Sequence, residues 1–440
     1  MERMNGADPI RIAILADDLT GAGDTGVQMA RYGLTAMVLL DCGNWPGTPA
    51  DVVVVDTDSR SLSAKEAYGR VSEACGLLLR ENFRILYKKV DSTMRGNIGA
   101  ELDAVCRHVR PDFIVLAPSF PDAGRVVRSG RMYVHGVPLH ETDAGRDPKH
   151  PVSRSYLPDL LRAQTDQPAA VVTAEELRGD DAALMEKMRR CREEHISCLV
   201  FDAETDADLR RIVAVVGRSG FRVVWAGSAG LARALAESWS RTARRDKPSF
   251  QGPAGTVCIT VGSVNVRSRR QLDAVLRLPG VTGIEMRSDL VLEEASRRRE
   301  LDRLGRLAAE AMRSPPRALV LYSSGNPEDV DKARRAGAGL GMDAGEVSNA
   351  VSRALGEFAA GVIGSFGIRH LVLTGGDTAR QVCLRLGTPA IELVDELQPG
   401  VPIGRLCGGK ERWVVTKAGG FGSDEVLCDA LRFLRKEDAT

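Results

Sequence analysis

The sequence predicts two α/β domains, each built on a mainly parallel sheet, with a functional site in the cleft between them. Three observations lead to this prediction. Short apolar runs alternate with stretches of helical periodicity, a basic segment rich in Pro and Gly interrupts the chain, and the alternation then restarts. At 440 residues and 43% hydrophobic content, the chain can bury a substantial core in each domain, which excludes a disordered or fibrous protein.

The first half of the chain supplies most of the predicted strands. Each is a short run rich in Val, Ile or Leu, as is typical of strands that are buried on both faces of a parallel sheet. The runs are Ile12–Ala16, Ala36–Leu40, Val52–Val55, Arg84–Val90, Phe113–Ala117, Cys198–Phe201 and Arg222–Trp225.

A linker is predicted at Ser240–Gly255, which is basic, broken by Pro and Gly, and without periodicity. It divides the chain into an N-terminal domain, residues 1–245, and a C-terminal domain, residues 246–440. Predicted strands then follow at Thr256–Val261, Ala318–Leu321, His370–Thr374 and Trp413–Thr416. Leu290–Met312 has apolar residues at helical spacing and predicts an amphipathic surface helix, whose arginines at 297–299 favour a solvated face over a nucleic-acid patch.

The charge balance and the cysteines limit the class of protein. Lys plus Arg number 60 against 59 Asp plus Glu, so no global basic field would draw the chain to nucleic acid or a membrane. We expect neither partner, and the sequence shows neither a signal peptide nor a long apolar run. The nine cysteines are scattered, which is typical of a reducing compartment and predicts the cytoplasm.

In the second domain, the predicted strands end in glycine and hydroxyl residues: VGS at 261–263, SSGNP at 323–327, TGGDT at 374–378 and TKAGGFG at 416–422. Glycine lets backbone amides approach an anion closely, and a helix N-terminus adds partial positive charge. These ends predict a phosphate cradle, in which Lys417 could neutralise phosphate while Gly419, Gly420 and Gly422 admit it. The alternatives are a tight turn with Asp377 as helix N-cap and a plain glycine-rich turn, because no Walker A or dinucleotide fingerprint is present.

The first domain ends its strands with acidic and basic residues instead. Carboxylates suit the hydroxyl groups of a polyol, and Arg or Lys suits a carboxylate, so the pattern predicts a small polyhydroxy acid as ligand. For Asp24 and Asp58 taken singly, a helix cap or a turn is favoured. The residues are Asp17, Asp18, Asp24, Asp56, Asp58, Arg60, Lys88, Lys89, Asp91, Ser92, Arg95, Asn97, Ser119, Asp122 and Arg125.

These residues also fit phosphoryl transfer to a hydroxyl group. Such a reaction needs a carboxylate that takes the hydroxyl proton, with cations and Mg²⁺ to spread the charge of the transferring group. Asp18 or Asp91 is the predicted base, and Lys89 is the predicted cation beside them.

Arg131–Val152 contains histidines 135, 140 and 150 but lacks the spacing of a known metal site. A long ordered loop over the mouth of the substrate site is therefore favoured over a metal site, and metal ligands stay unassigned.

Several of these segments, in this order, resemble the four-carbon acid sugar kinases over nearly the whole chain. The matching segments are ADDLTGAGDTG, KKVDSTMRGN, APSFPDAGR, YVHGVPLHETD, DPKHPV, GSAGLA, ITVGS, TGGDT, LQPGVPIG and TKAGGFG. The resemblance implies ATP- and Mg²⁺-dependent phosphorylation of threonate, erythronate or a 3-oxo-tetronate at the terminal hydroxyl, with the acid in the N-terminal domain and the nucleotide in the C-terminal domain. It implies acid contacts at Asp18, Arg60, Lys89, Asp91 and Ser92, beside Arg95, and nucleotide contacts at Ser263, Gly375, Gly376, Asp377, Thr378 and Gly420.

Two other classes remain to be weighed. A non-catalytic sensor would keep the cradle but lose the acceptor site, so the intact Asp18, Lys89, Asp91 and Arg95 argue against it. A nicotinamide-dependent dehydrogenase would need G-x-G-x-x-G after the first strand, which ADDLTGAGDTG fits poorly. The sequence leaves open which acid is used, which hydroxyl is phosphorylated, and whether the protein is a homo-oligomer.

Overall fold

The structure is a computed structural model that describes residues 11–40, 50–81, 83–147, 150–239 and 255–437. Its contacts divide the chain into an N-terminal unit, Met1–Arg245, and a C-terminal unit, Asp246–Thr440. The predicted linker lies outside the described residues except at Gly255.

The N-terminal unit contains a sheet in the order β2-β3-β1-β4-β11-β5-β10-β9, in which all neighbours are parallel. Its strands are β1 (Ile12–Ala16), β2 (Ala36–Leu39), β3 (Val52–Asp56), β4 (Ile85–Lys89), β5 (Phe113–Ala117), β9 (Ala169–Val172), β10 (Cys198–Phe201) and β11 (Val223–Gly227). Every predicted strand of this half is present within two residues at each end. The prediction holds because β1, β3 and β5 are buried along their whole length, so that apolar composition alone marks them.

Helices cover this sheet. They are α1 (Leu19–Arg31), α2 (Ala64–Arg80), α3 (Ile98–Val109), α4 (Leu157–Arg162), α5 (Ala174–Arg178), α6 (Asp181–Glu193), α7 (Asp206–Arg218) and α8 (Ala229–Trp239). Several begin at reciprocal capping boxes, such as Ser63 with Glu66 at α2. Helix α1 is buried almost throughout, and Asp24 lies in its interior, so the predicted cap or turn at Asp24 is wrong. Asp58 does lie in the loop after β3, with a φ of 49°.

The predicted long loop at Arg131–Val152 is partly wrong. Strands β6 (Arg125–Arg128), β7 (Arg131–Val134) and β8 (Val137–Pro138) form a small antiparallel sheet, and two short 3-10 helices follow at Leu139–Glu141 and Asp143–Arg146. Met132 and Leu139 are buried and belong to the hydrophobic core beneath this sheet. Burial of these apolar side chains explains why the segment folds onto the unit.

The C-terminal unit has the strand order β13-β14-β12-β15-β18-β17-β16. Its strands are β12 (Val257–Val261), β13 (Val281–Met286), β14 (Ala318–Ser323), β15 (His370–Thr374), β16 (Ala390–Gln398), β17 (Val401–Leu406) and β18 (Arg412–Lys417). Strands β13, β14, β12, β15 and β18 are parallel, whereas β18, β17 and β16 pair in antiparallel fashion. The predicted α/β class with mainly parallel sheets is confirmed.

The helices of this unit are α9 (Val266–Leu276), α10 (Glu294–Ala311), α11 (Pro327–Gly339), α12 (Ala344–Ser365), α13 (Gly376–Arg385) and α14 (Val426–Arg435). The predicted helix Leu290–Met312 begins later, at Glu294, because a 3-10 turn at Ser288–Val291 precedes it. Strands β12, β14, β15 and β18 and helix α14 contribute to one apolar core. No helix among the described residues is long and apolar enough to cross a membrane.

Candidate active site

One group of charged side chains lies at the carboxyl edge of the N-terminal sheet. Strands β3, β1 and β4 are neighbours and parallel, so the residues that follow them meet at the same edge. Asp17 and Asp18 follow β1, Arg60 follows β3, and Asp91 follows β4. We call these four residues, together with Lys89 and Arg95, the acid–base cluster.

The guanidinium of Arg60 joins the two aspartates after β1. Its Nε donates to Asp17 Oδ2 at 2.7 Å, and its Nη2 donates to Asp17 Oδ1 at 3.0 Å. Nη1 and Nη2 also donate to Asp18 Oδ2 and Oδ1, at 2.7 and 2.8 Å. The fork predicted to face a substrate carboxylate thus holds two protein carboxylates in this structure.

Charge balance keeps Asp17 and Arg60 ionised, although the Asp17 side chain is buried and that of Arg60 is only 17% exposed. Burial by itself would raise the pKa of the Asp17 carboxyl, but Arg60, with smaller effects from Lys88 and Lys89, holds that pKa below its usual value. Burial would lower the pKa of Arg60, yet Asp17, Asp18 and Asp91 together raise it well above its usual value. Asp17 and Arg60 are therefore charged at neutral pH.

A second guanidinium holds Asp91. Arg95 Nε and Nη2 donate to Asp91 Oδ2 and Oδ1 at 2.8 and 3.2 Å, and Arg95 Nη1 reaches Asp147 Oδ2 at 3.1 Å. Arg60 Nη2 lies 3.6 Å from Asp91 Oδ1. Burial would raise the pKa of Asp91, but Arg95 and Arg60 bring it well below its usual value. Asp91 is consequently a weak proton acceptor.

Lys89 is buried near the start of α1. Its Nζ donates to Val90 O at 2.7 Å. Asp18 is the N-cap of α1, because its Oδ1 accepts from Gly21 N at 2.8 Å. A Cβ atom at Gly21 would lie 2.7 Å from Asp18 Oδ1 and 2.9 Å from Lys89 Nζ. Glycine at position 21 therefore lets Lys89 approach Asp18, the N-cap of α1. Ser92 is buried in the turn after Asp91.

A buried ion pair lies behind this cluster. Lys88 and Glu101 are 0% and 2% exposed, and Lys88 Nζ lies 2.7 Å from Glu101 Oε2. Lys88 Nζ also donates to Lys89 O and Leu15 O, at 2.7 and 3.3 Å. Glu101 Oε1 accepts from Ser59 Oγ at 2.6 Å, so the pair supports the segment that carries Arg60. Glu101 was not among the residues predicted from the sequence.

The predicted residues Ser119, Asp122 and Arg125 follow β5 and lie outside the acid–base cluster. Asp122 forms an ion pair with Arg233 of α8. Ser119 Oγ donates to Ala203 O at 2.8 Å and supports the loop that follows β5. The predicted grouping of Asp18, Arg60, Lys89, Asp91, Ser92 and Arg95 at one sheet edge is what the structure shows, whereas their contacts with a ligand stay a prediction.

The C-terminal unit carries a glycine-lined edge after β12, β15 and β18. A Cβ atom at Gly262 would lie 2.0 Å from Thr378 Oγ1, and one at Gly419 would lie 2.2 Å from Ser263 Oγ. Gly262 N donates to Thr374 O at 3.2 Å, and Gly375 N donates to Lys417 O at 3.0 Å. The three strand ends thus pack with no room for a side chain at Gly262 and Gly419. We call these strand ends the glycine cradle, which comprises Gly262–Ser263, Thr374–Thr378 and Lys417–Gly420.

Helix α13 begins inside the cradle. Gly375 is its N-cap and has a φ of 95°, in the region that favours glycine. Asp377 lies in the first turn, so the alternative that made Asp377 the N-cap is wrong. A Cβ atom at Gly420 would have no heavy atom within 4 Å, so open space adjoins this residue. A helix start beside open space suits an anion, because the helix dipole places partial positive charge there.

Comparison with known proteins identifies the family. Residues 12–235 match the model of a sugar-binding N-terminal domain, and residues 258–427 match that of a nucleotide-binding C-terminal domain. A curated D-threonate kinase of Bordetella bronchiseptica is 36% identical to this chain, with 98% of each chain covered. The chain belongs to the four-carbon acid sugar kinase family. It is therefore an enzyme of the kinase class, which excludes the dehydrogenase alternative.

Further curated relatives and solved structures are similar to this chain over nearly its whole length. A D-threonate kinase of Salmonella typhimurium is 32% identical, over 97% of this chain and 99% of its own. A D-erythronate kinase of Heliobacterium modesticaldum is 31% identical, over 96% and 97%. A crystal structure from Salmonella typhimurium superimposes with a TM-score of 0.79 at 25% identity, over 96% of this chain and 99% of that one. The Haemophilus influenzae protein HI1011 shares the fold, with a TM-score of 0.70 at 21% identity, over 95% and 98%.

Within this kinase, the described residues offer no preformed metal cage. No group of three or more His, Cys, Asp or Glu side chains in the described part of the chain could hold a metal ion. A Mg²⁺ ion that accompanies a nucleotide commonly keeps several waters and takes most of its other ligands from phosphate oxygens. The described residues are compatible with that mode of binding.

Proposed function

We propose that this protein is an ATP-dependent kinase that phosphorylates a four-carbon sugar acid at its terminal hydroxyl. The observation that carries the proposal is the acid–base cluster, in which three carboxylates and two guanidiniums share one sheet edge. Carboxylate oxygens accept hydrogen bonds from hydroxyl groups, and the cations attract the carboxylate of the acid. A small polyhydroxy acid meets both requirements at once.

Among four-carbon acids, D-threonate is our first candidate substrate. The two relatives with the highest identities reported above are named D-threonate kinases, at 36% and 32% identity. D-erythronate comes next, from a relative at 31%, and 3-oxo-tetronate follows, from one at 27%. The cluster has no feature that distinguishes these acids, so the order rests on similarity alone.

The glycine cradle is the proposed site of ATP. Ser263, Gly375, Gly376, Asp377, Thr378, Gly419 and Gly420 are the proposed contacts. Support comes from the start of α13 at Gly375 and from the open space at Gly420. With ATP bound, Mg²⁺ would neutralise charge on the transferring phosphoryl group. The position of the reaction between the two domains, with a boundary at 245/246, stays a prediction.

Asp18 is the proposed acceptor of the hydroxyl proton. Asp91 suits this role less, because Arg95 and Arg60 hold its pKa well below the usual value. Asp18 lies at the start of α1, beside Lys89 and Arg60, where an incoming hydroxyl would find a carboxylate next to two cations. Phosphoryl transfer depends mainly on positioning and charge, so a strong base is not required.

The cytoplasm is the proposed location. None of the eight cysteines in the described part of the chain forms a disulfide, and most of these cysteines are buried, which supports a reducing compartment. Homo-oligomer formation stays a prediction.

The test is ADP release with ATP and Mg²⁺ against a panel of D- and L-threonate, D- and L-erythronate, their 3-oxo forms and longer aldonates. We expect turnover of one four-carbon acid, lost in Asp18→Asn and kept in Asp159→Asn, which alters a surface ion pair with Arg162. ADP binding without turnover of any acid would instead favour the sensor alternative.

A further inference from the structure

Lys417 lies at the end of β18, within the glycine cradle. Its side chain is 1% exposed, and its backbone oxygen accepts from Gly375 N at 3.0 Å. Its Nζ donates to Gly419 O at 3.3 Å, and the same oxygen accepts from Ser268 Oγ at 3.0 Å. The ammonium of Lys417 therefore contacts the backbone of the residue that precedes Gly420.

Lys88, which is also fully buried among the described residues, has a very different environment. Lys88 has a carboxylate at 2.7 Å and two carbonyl oxygens, which match its three N–H donors. Among the described residues, the hydrogen bond recorded for Lys417 Nζ goes to one carbonyl, and no ion pair with an acidic side chain is found. The protein therefore does not neutralise the charge of the Lys417 ammonium, and burial of an ammonium without a counter-charge costs free energy.

The charged groups around Lys417 do not supply that balance. Helix α9 contributes Arg267, a second cation, whereas no acidic side chain, Asp377 in the first turn of α13 included, is among the groups that shift the pKa of Lys417. The charged or titratable residues of β15 and β17, His370 and Arg405, pair with Trp413 at the other end of β18. Burial, followed by Arg267, lowers the pKa of Lys417 to about 7. A large part of the lysine is therefore neutral in the free protein near neutral pH.

We propose that Lys417 is the counter-charge of the nucleotide phosphates in the glycine cradle and takes up a proton from solvent when they bind. The inference rests on the proposed function, because it needs a nucleotide in the cradle. Phosphate oxygens beside Gly419 and Gly420 would supply the negative charge that the protein does not. Binding of the phosphates and protonation of Lys417 then strengthen each other, so nucleotide affinity falls as pH rises above the pKa of the free lysine.

Calorimetric titration with ADP at constant Mg²⁺ tests this, in pairs of buffers with different ionisation enthalpies at each pH. At pH 8, a lysine of pKa about 7 is about nine-tenths neutral, so wild type should take up about 0.9 proton per ADP bound. Between pH 8 and 9, wild-type affinity should fall by up to about tenfold. Lys417→Met should bind ADP more weakly than wild type at pH 7, with proton uptake near zero and a flat pH profile.

Lys410→Met is the matched control, because Lys410 is exposed and lies outside the cradle. It should behave as wild type. ADP binding to wild type without proton uptake at pH 8, or uptake that persists in Lys417→Met, would overturn the inference and leave the proposed function intact. The proton uptake measured for wild type tests the inference even if Lys417→Met folds poorly. Absence of ADP binding would overturn both.

Discussion

Replacement of Lys88 by Met should destabilise the N-terminal unit in a strongly pH-dependent way. The change removes the partner of Glu101, which is 2% exposed, and the donor to Lys89 O and Leu15 O. Loss of one member of a buried ion pair costs about 3–5 kcal/mol. We therefore expect a loss of that order in the free energy of unfolding at pH 8.

The sign of the pH dependence follows from Glu101. Burial already raises the pKa of Glu101 above its usual value, with Lys88 opposing that shift, so removal of Lys88 raises it further. A carboxyl whose folded pKa lies above its unfolded value stabilises the fold when protonated, and this stability is lost as pH rises through the folded pKa. The variant should therefore lose less stability at pH 5.5 than at pH 8, by about 1 kcal/mol or more.

Urea denaturation followed by tryptophan fluorescence measures these differences. In a Trp413→Phe background, the remaining tryptophans at 45, 225 and 239 all belong to the N-terminal unit. The double variant Lys88→Met with Glu101→Gln should be more stable than Lys88→Met alone at pH 8, because no buried charge is left unpaired. Arg162→Met, which removes an exposed pair with Asp159, should change little. Equal losses at both pH values, with additive effects in the double variant, would refute this reasoning.

Two further predictions concern the reaction itself. Asp91→Asn should lower kcat/KM for the sugar acid by about 100-fold or more, because two guanidiniums lose a charged partner beside the acid. Steady-state ADP release measures this change. Asp122→Asn, which alters a remote Asp–Arg pair, is the control, and an equal loss of kcat/KM in it would contradict the prediction. Gly262→Ala should weaken ADP binding by about tenfold or more, because the new Cβ would meet Thr378 Oγ1 at 2.0 Å. Gly361→Ala, whose Cβ would meet nothing within 4 Å, should titrate as wild type, and unchanged affinity in both variants would count against the cradle.

The central strands could be predicted from the sequence because burial on both faces leaves an apolar run. Strands β13, β16 and β17 of the C-terminal unit could not. Strand β13, with the sequence VTGIEM, includes exposed Gly283 and Glu285, so its composition resembles a loop. Strands β16 and β17 carry Asp395, Glu396 and Pro402 and pair with register shifts, which hides any regular alternation.

The position of the candidate site could be predicted from the sequence, but the contacts among its side chains could not. Parallel neighbours end at the same edge, so acidic and basic residues after β1, β3 and β4 had to meet there. Which carboxylate each cation binds depends on side-chain direction, which no spacing rule gives. Arg60 binds Asp17 and Asp18. Glu101 lies in the first turn of α3, where an acidic residue commonly stabilises the helix, so its sequence position did not indicate a role near the site.

The most direct test of the proposed activity is phosphorus NMR of the purified protein with ATP, Mg²⁺ and D-threonate, and separately with D-erythronate. Our account predicts that one acid gives a new phosphomonoester signal, formed in equal amount to ADP and absent in Asp18→Asn. ATP that yields inorganic phosphate without a phosphorylated acid, or that remains intact with both acids and with every other four-carbon acid of the panel above, would contradict it.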